Sequence, residues 1–205
     1  MLKGIKNIIF DLGGVLVDLD RDRCVRSFTE IGFAQAEKLI DFYYPAAFFN
    51  DLERGAIGVE EVCDIIREQA GVYISNEDIC MAYSNFLVGI PVEKLRLIKS
   101  LRDRGYRIYA LSNINPIVMP KVYEFFKSDG LSVEDYFDKM YLSYEMKCVK
   151  PHREIFDKLI LDSGVDVKET LFLDDGLKNV EMGREVGFAV YMPEARESFS
   201  HLFDE

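Results

Sequence analysis

The sequence is poor in positive charge. Of its 205 residues, 25 are lysine or arginine and 36 are aspartate or glutamate, which gives a formal net charge of −11 at pH 7. Nucleic acids and anionic membranes are bound through basic surfaces, so this deficit argues against either as the main partner. A small anionic substrate remains compatible with it, because one local positive site is enough to bind such a molecule.

Cysteine and histidine are scarce. The four cysteines, Cys24, Cys63, Cys80 and Cys148, form no CxxC pair and match no zinc-binding spacing. They indicate no disulfide framework, so we expect reduced thiols that mostly pack in the interior of a cytoplasmic protein. Only two histidines are present, and neither is assigned a catalytic role.

Long apolar runs are also absent. The run at residues 8–10 stops at Asp11, which makes it too short for the apolar part of a signal peptide or for a membrane span. No later stretch approaches the length of a span, and no internal repeat is visible. With 49% hydrophobic and 30% charged residues, the composition predicts one globular domain, or one domain with a small insertion.

Two kinds of pattern follow one another along the chain. After the apolar strand at residues 8–10, the region from about residue 20 to residue 88 is purely helical, with Ser75 as a predicted N-cap. From Pro91 onwards helices and strands alternate. The later strands are predicted at residues 106–111, 140–142, 171–173 and 189–192.

This alternation predicts an α/β fold with a Rossmann-like, doubly wound and mostly parallel sheet. Residues 1–18 and 89–205 would form this core, and residues 19–88 would form an inserted all-helical cap. Ligands of such sheets bind beyond the carboxyl ends of the strands. Polar residues follow three of the predicted strands, and we expect a site where they meet. They are Asp11, the pair Ser112-Asn113 and the pair Asp174-Asp175.

Convergent carboxylates predict a metal site. Asp11, Asp174 and Asp175 would repel one another and raise one another's pKa, and Mg²⁺ would relieve this repulsion. Asp11 is also well placed to attack phosphorus, and the N–H groups of the Gly13-Gly14 turn, Gly14 included, would hold phosphate oxygens. The alternative is that these aspartates are only polar turn residues.

Two further groups are candidates for binding an anion. The hydroxyl of Ser112 and the neighbouring Asn113 lie between a strand and a helix, where phosphate oxygens are readily bound, although such a pair is more often a turn. Lys150 precedes Pro151, which fixes a helix start, so the lysine would lie in an extended segment and could pair with Asp11 and a phosphoryl group. The alternative for Lys150 is an ordinary solvated lysine.

Four motifs in this order resemble those of a known family. They are the DLGGVLVD stretch that begins at Asp11, Leu111-Ser112-Asn113, Lys150-Pro151, and Phe172-Leu173-Asp174-Asp175 followed by Asn179. Over nearly its whole length the chain resembles the haloacid dehalogenase-like (HAD) hydrolase superfamily, in the branch that carries a helical cap. Within that branch, the residues of the first and last motifs most resemble those of the α-D-glucose-1-phosphate phosphatase-like group.

The resemblance implies a Mg²⁺-dependent phosphatase that acts on small phosphate monoesters, sugar phosphates included, through an aspartyl-phosphate. Asp11 would be the nucleophile and a Mg²⁺ ligand, and Lys150 would neutralise charge between it and the phosphate. Asp175 would bind the metal directly and Asp174 through water. Ser112, helped by Asn113, would bind the phosphoryl group.

One position departs from the family pattern. Most of its phosphatases have a second aspartate, the general acid and base, two residues after the nucleophile, and here Gly13 stands there. Its backbone carbonyl can still bind Mg²⁺, but general acid–base help is typically worth about 10²–10⁴-fold. The enzyme would then be slow, would prefer leaving groups that need little protonation, or would use another group. Asp18, Asp20 and cap residues are unranked candidates for that group.

The cap offers weaker candidates for substrate contacts. Arg54 is one, although a plain surface arginine is the better interpretation. Tyr43 and Tyr44 could stack on a sugar or belong to the helical core.

Two other functions remain open. One is a haloacid dehalogenase, which lacks the second aspartate but needs no metal. The other is a catalytically weak binding or regulatory protein. The sequence leaves the substrate and the oligomeric state open.

Overall fold

The computed structural model describes residues 3–40 and 46–203. Its strands are β1 (Asn7–Phe10), β2 (Asp18–Leu19), β3 (Leu87–Gly89), β4 (Arg107–Ser112), β5 (Lys139–Leu142), β6 (Thr170–Leu173) and β7 (Ala189–Tyr191). Five of them form one sheet in the order β5-β4-β1-β6-β7, and every pair in it is parallel. This sheet confirms the predicted Rossmann-like α/β fold.

Helices occur both between β2 and β3 and after β3. They are α1 (Arg21–Glu30), α2 (Ala36–Leu39), α3 (Ala47–Glu53), α4 (Val59–Ala70), α5 (Asn76–Ser84), α6 (Val92–Asp103), α7 (Met119–Phe126), α8 (Val133–Tyr136), α9 (Ser143–Met146), α10 (Arg153–Ser163) and α11 (Leu177–Val186). The predicted strands near residues 106–111, 140–142, 171–173 and 189–192 coincide with β4 to β7 to within a residue or two.

The sheet is covered on both faces, and its strands β1 and β6 are apolar apart from their first residues, Asn7 and Thr170. Every residue of β1 and β6 is buried. Ile8 and Phe10 join one hydrophobic cluster, whereas Ile9 between them joins a second cluster on the opposite face, as the alternation of side chains along a strand requires. Strands buried on both faces are typical of a parallel sheet between two layers of helices.

The segment between β2 and β3 is helical, as predicted, and contains α1 to α5. Ser75 caps α5 by accepting a hydrogen bond from the Asp78 N–H. The strands β2 and β3 themselves pair antiparallel; they were not predicted, because strands of two or three residues carry no periodic pattern. Tyr43 and Tyr44 lie outside the described residues.

The inside of this helical segment is aromatic. Phe48 and Phe49 are buried, in agreement with the sequence pattern, and the Phe49 ring stacks on Tyr83 with centroids 4.7 Å apart. The four cysteines are all free, and three of them are buried. Across the described part of the chain, no helix has the length and hydropathy that crossing a membrane requires.

Candidate active site

The strand order brings the three predicted polar clusters to one edge of the sheet. β1 lies between β4 and β6, and Phe10 is in register with Ala110 on one side and Leu173 on the other. Asp11 continues this register, since its N–H donates to the Leu173 carbonyl at 2.8 Å. The convergence predicted from the sequence is therefore present.

Three carboxylates meet at this edge. Asp11, Asp174 and Asp175 each offer an oxygen, and these oxygens all lie within 4.8 Å of one another. Burial, followed by the charges of Asp174 and Asp175, raises the pKa of Asp11, while the Lys150 charge lowers it. Burial and the Asp174 charge also raise the pKa of Asp175. A hard divalent cation with oxygen ligands fits this donor set, and Mg²⁺ is such an ion.

Lys150 lies among these acids rather than in solvent. Its Nζ is 2.6 Å from Asp174 Oδ2 and 3.0 Å from Asp11 Oδ1, and it donates to the Leu111 carbonyl at 2.8 Å. Although burial lowers the pKa of Lys150, the two carboxylates together raise it above its usual value. The lysine is therefore a permanent buried cation, and the alternative of a solvated lysine is wrong.

The two aspartates beside Lys150 differ in how many of their carboxylate oxygens already have hydrogen-bond partners. Both Asp174 oxygens are occupied, Oδ2 by Lys150 and Oδ1 by the Gly176 N–H and the Asn179 side-chain amide. In Asp11 only Oδ1 is engaged, by Lys150 and by the Leu12 N–H at 2.7 Å. Within the described part of the chain, Asp11 Oδ2 has no hydrogen-bond partner. Asp11 can thus react or bind directly, whereas Asp174 mainly holds Lys150.

Gly14 has a different role from the predicted one. Its N–H donates to the Val17 carbonyl at 2.9 Å, so in this conformation it is not offered to a phosphate. Its φ is +74°, and a Cβ there would lie 2.1 Å from Asp175 Oδ2. Gly14 is thus the residue that lets the Asp175 carboxylate approach the turn after β1, which is a correction to the expectation of direct phosphate binding.

Asn113 binds the Lys150 backbone, whereas Ser112 lines the cavity. The Asn113 side chain forms two hydrogen bonds with the Lys150 backbone, donating to its carbonyl at 2.9 Å and accepting its N–H at 2.8 Å. Both of its polar ends are therefore used to fix the lysine. Ser112 is buried at the end of β4 and lines the same cavity as Asp11, and its phosphate-binding role stays a prediction.

A cavity of about 710 Å³ opens in front of Asp11, between the sheet edge and the helical segment. Arg54, the predicted cap contact, is not among its described lining residues. The Arg54 guanidinium is 2.6 Å from Asp51 on the same helix, and 55% of its side chain is exposed. The structure thus agrees with the surface arginine that the sequence analysis preferred, and a contact between Arg54 and substrate stays a prediction.

Sequence reasoning missed Glu53, the neighbour of Arg54. Glu53 lines the cavity at the end of α3. Burial raises its pKa to about 7, although the Lys150 charge lowers it. The Tyr83 hydroxyl also faces this carboxyl, and burial and the Glu53 charge raise its pKa well above the usual value. No sequence signal distinguishes a glutamate at a helix end from a solvated one.

The backbone around Glu53 is fastened to the core. The Ser143 hydroxyl, which begins α9, donates to the Glu53 carbonyl at 2.6 Å and accepts the Ile114 N–H at 2.9 Å. Gly55 has φ +64°, and a Cβ there would lie 2.3 Å from the Tyr144 carbonyl oxygen. The cap turn therefore packs directly on the core backbone, and this close approach requires a glycine.

Comparisons with known proteins agree with this geometry. A model of the haloacid dehalogenase-like hydrolase family matches residues 5–187. A D-ribitol-5-phosphate phosphatase of Bacteroides thetaiotaomicron is 41% identical over 195 residues, covering 93% of this chain and 92% of that protein. A glyceraldehyde 3-phosphate phosphatase of Pyrococcus abyssi is 27% identical, covering 87% and 79%.

A solved structure is similar over the whole chain. It is a HAD family enzyme from Bacteroides thetaiotaomicron in complex with magnesium and inorganic phosphate, 44% identical, with a TM-score of 0.91 and coverage of 98% of this chain and 100% of the other.

The contact between Gly14 and Asp175 predicts a defect in metal binding for Gly14→Ala. Left-handed strain costs about 1–2 kcal/mol, and the clash with Asp175 adds a similar amount, so we expect a total loss near 3 kcal/mol. Urea unfolding measures this loss, and the Mg²⁺-induced rise in Tm should disappear. The matched control is Gly4→Ala, where φ is +92° but nothing lies within 4 Å of the added Cβ. Equal losses and an unchanged Mg²⁺ effect in both variants would contradict this role.

The raised pKa of Glu53 predicts a pH-dependent stability. Between roughly pH 4.5 and 7 the folded protein keeps a proton on Glu53 that the unfolded chain has released, so this contribution is complete below that window and is lost as pH rises. Wild type should lose on the order of 2 kcal/mol more than Glu53→Gln between pH 5 and 8, as measured by urea unfolding. Glu60→Gln, an exposed cap variant, should follow wild type. Parallel curves for wild type and Glu53→Gln would show that the carboxyl is not held neutral.

Proposed function

The chain belongs to the haloacid dehalogenase-like hydrolases, and we propose that it is a magnesium-dependent phosphatase acting on small phosphate monoesters of sugars and polyols. The observation that carries this proposal is the cluster of Asp11, Asp174, Asp175 and Lys150 at one sheet edge, facing a cavity of metabolite size. Such a cluster combines a nucleophilic carboxylate, a place for a cation and a fixed positive charge.

Asp11 is the nucleophile in this proposal. Its free oxygen attacks phosphorus, the bond between phosphorus and the ester oxygen breaks, and an aspartyl-phosphate forms. Water then attacks this phosphoryl group and releases inorganic phosphate, which restores the Asp11 carboxylate. Lys150 cannot move away from Asp11, because Asp174, Asn113 and the Leu111 carbonyl all hold it.

The positive groups act on the charge of the phosphoryl group. When bound, Mg²⁺ supplies positive charge that offsets the negative charge of the phosphate and of the aspartates. Asp11, Asp175 and the Gly13 carbonyl would hold it, and Asp174 would contribute through water, since both its oxygens are already engaged. The Ser112 hydroxyl would hold a phosphate oxygen on the β4 side, and the fixed Lys150 ammonium stabilises charge without reorganising.

The similar proteins support the substrate class. The names of two of them specify esters in which a phosphate ends a short polyhydroxylated chain, ribitol 5-phosphate and glyceraldehyde 3-phosphate. A cavity of about 710 Å³ accommodates ligands of this size. Halide displacement needs no metal, so the convergence of Asp175 with Asp11 and Asp174 favours the phosphatase over a dehalogenase.

The proposal predicts that Asp11→Asn abolishes hydrolysis. Amide nitrogen and oxygen do not attack phosphorus, so p-nitrophenyl phosphate turnover should fall at least about 10³-fold. EDTA should remove turnover from wild type, and added Mg²⁺ should restore it. Asp51→Asn, a cap change away from the carboxylate cluster, is the control. Turnover that survives EDTA, or 2-haloacid hydrolysis in its place, would favour the dehalogenase, and no turnover of any ester would favour a binding protein.

A substrate panel tests the class of ester. Among phosphorylated metabolites, we expect the highest kcat/KM for terminal phosphates of C3 to C6 sugars and polyols, with several turned over at similar rates. Phosphate release is the measurement, and phosphopeptides and mononucleotides are the comparison. A clear preference for either of these would contradict the proposed substrate class.

A further inference from the structure

The proposed hydrolysis lacks one group. When an alkyl phosphate is cleaved, the departing alcohol oxygen needs a proton, and the water of the second step must lose one. Gly13 stands where a carboxyl would serve both needs, and it has no side chain to do so. Efficient cleavage of an alkyl phosphate would therefore need a different proton donor and acceptor that faces the bond between phosphorus and the ester oxygen.

Most carboxyl groups near the site are already engaged. Among the described residues that line the cavity, three carry carboxyl groups: Asp11, Asp175 and Glu53. Asp11 is the nucleophile, and Asp175 packs on Gly14 as a metal ligand.

The two sequence candidates do not reach the cavity. Asp18 lies 3.8 Å from the Lys94 ammonium, and Asp20 accepts the Arg23 N–H as the N-cap of α1. Neither is among the described lining residues. Among the carboxyls of the described residues, this leaves Glu53.

Glu53 shares the cavity with Asp11. It ends α3 and is among the residues that line this cavity. Within the described residues its carboxyl has no hydrogen-bond or ion-pair partner, although the residue is half-buried and interacts with the Lys150 charge. A phosphate ester bound at Asp11 would therefore occupy the same cavity as this carboxyl.

We propose that Glu53, supplied by the cap, is the general acid and base of this enzyme in place of the residue missing at position 13. This inference rests on the proposed phosphatase function and names a catalytic residue for it. In the first step the protonated Glu53 gives its proton to the ester oxygen as the bond to phosphorus breaks, so that a neutral alcohol leaves. In the second step the Glu53 carboxylate takes a proton from the attacking water, and both Asp11 and Glu53 return to their starting states.

Two features of the surroundings support this role. A pKa near 7 keeps a substantial share of Glu53 protonated at neutral pH, which a general acid needs. The backbone of Glu53 is also held in place, by the Ser143 hydroxyl at its carbonyl and by the packing of Gly55 on Tyr144. These contacts fix the backbone that carries Glu53 relative to the core.

The test compares two esters whose leaving groups differ in whether they need a proton. p-Nitrophenolate leaves without a proton, whereas the alcohol of ribitol 5-phosphate needs one. With Glu53→Gln, which keeps size and shape, we expect p-nitrophenyl phosphate to give a rapid burst of one p-nitrophenolate per enzyme. Hydrolysis of the accumulated phosphoenzyme should then be at least about 10²-fold slower than in wild type. Ribitol 5-phosphate should react at least about 10²-fold more slowly, without a burst. Rapid quench and intact-protein mass spectrometry detect the phosphoenzyme.

Controls separate this inference from the proposed function. Glu60→Gln removes one exposed cap carboxyl and should behave as wild type with both esters. If Glu53→Gln turns over ribitol 5-phosphate within about 3-fold of wild type, or slows phosphorylation by both esters equally, Glu53 is not the acid and base. The phosphatase function itself fails only if wild type shows no hydrolysis that depends on Asp11.

One measurement leaves Glu53 in place and keeps the inference falsifiable if Glu53→Gln does not fold. In wild type, the single-turnover rate should fall little from p-nitrophenyl phosphate to ribitol 5-phosphate, and a fall of about 10³-fold or more would show that no acid protonates the alcohol.

Discussion

The buried ammonium of Lys150 is the interaction on which the site depends. It joins the ends of three neighbouring strands, because it contacts Asp11 after β1, the Leu111 carbonyl within β4 and Asp174 after β6. A buried charge is stable only when it is paired and hydrogen-bonded, and removal of one partner typically costs about 3–5 kcal/mol. The same ammonium that holds the strand ends together also places a positive charge beside Asp11, so the stability of the sheet edge and the proposed chemistry depend on one contact.

Glycines permit the two close approaches that complete this arrangement. At Gly14 the Asp175 carboxylate occupies the space that a side chain would fill, which brings this carboxylate to the turn after β1. At Gly55 the backbone lies close to the Tyr144 carbonyl, next to Glu53. Asp175 and Glu53 both line the cavity that Asp11 lines. Excluding water from such a cavity strengthens each electrostatic interaction in it.

Much of this arrangement was predictable because its signals are local. The apolar run before Asp11, the helical spacing after residue 20 and the alternation after Pro91 each reflect burial within one element, and the observed strands and helices follow them. The prediction for Gly14 was wrong because a hydrogen bond within the turn, to Val17, takes up its N–H. For Arg54 the favoured interpretation was a surface arginine, and its ion pair with Asp51 at the surface agrees with this.

The sequence alone determined the fold class, the strand ends that carry acids and the presence of Lys150 before Pro151, since these follow from periodicity and from residues adjacent in the chain. It could not rank the candidates for the proton donor, because burial and the set of side chains that line the cavity arise only when the helical segment packs on the sheet. Glu53 and Arg54 are neighbours with similar local context, yet one faces the cavity and the other faces solvent. The tertiary structure decided between them, because the direction of a side chain at the end of a helix depends on how that helix is docked.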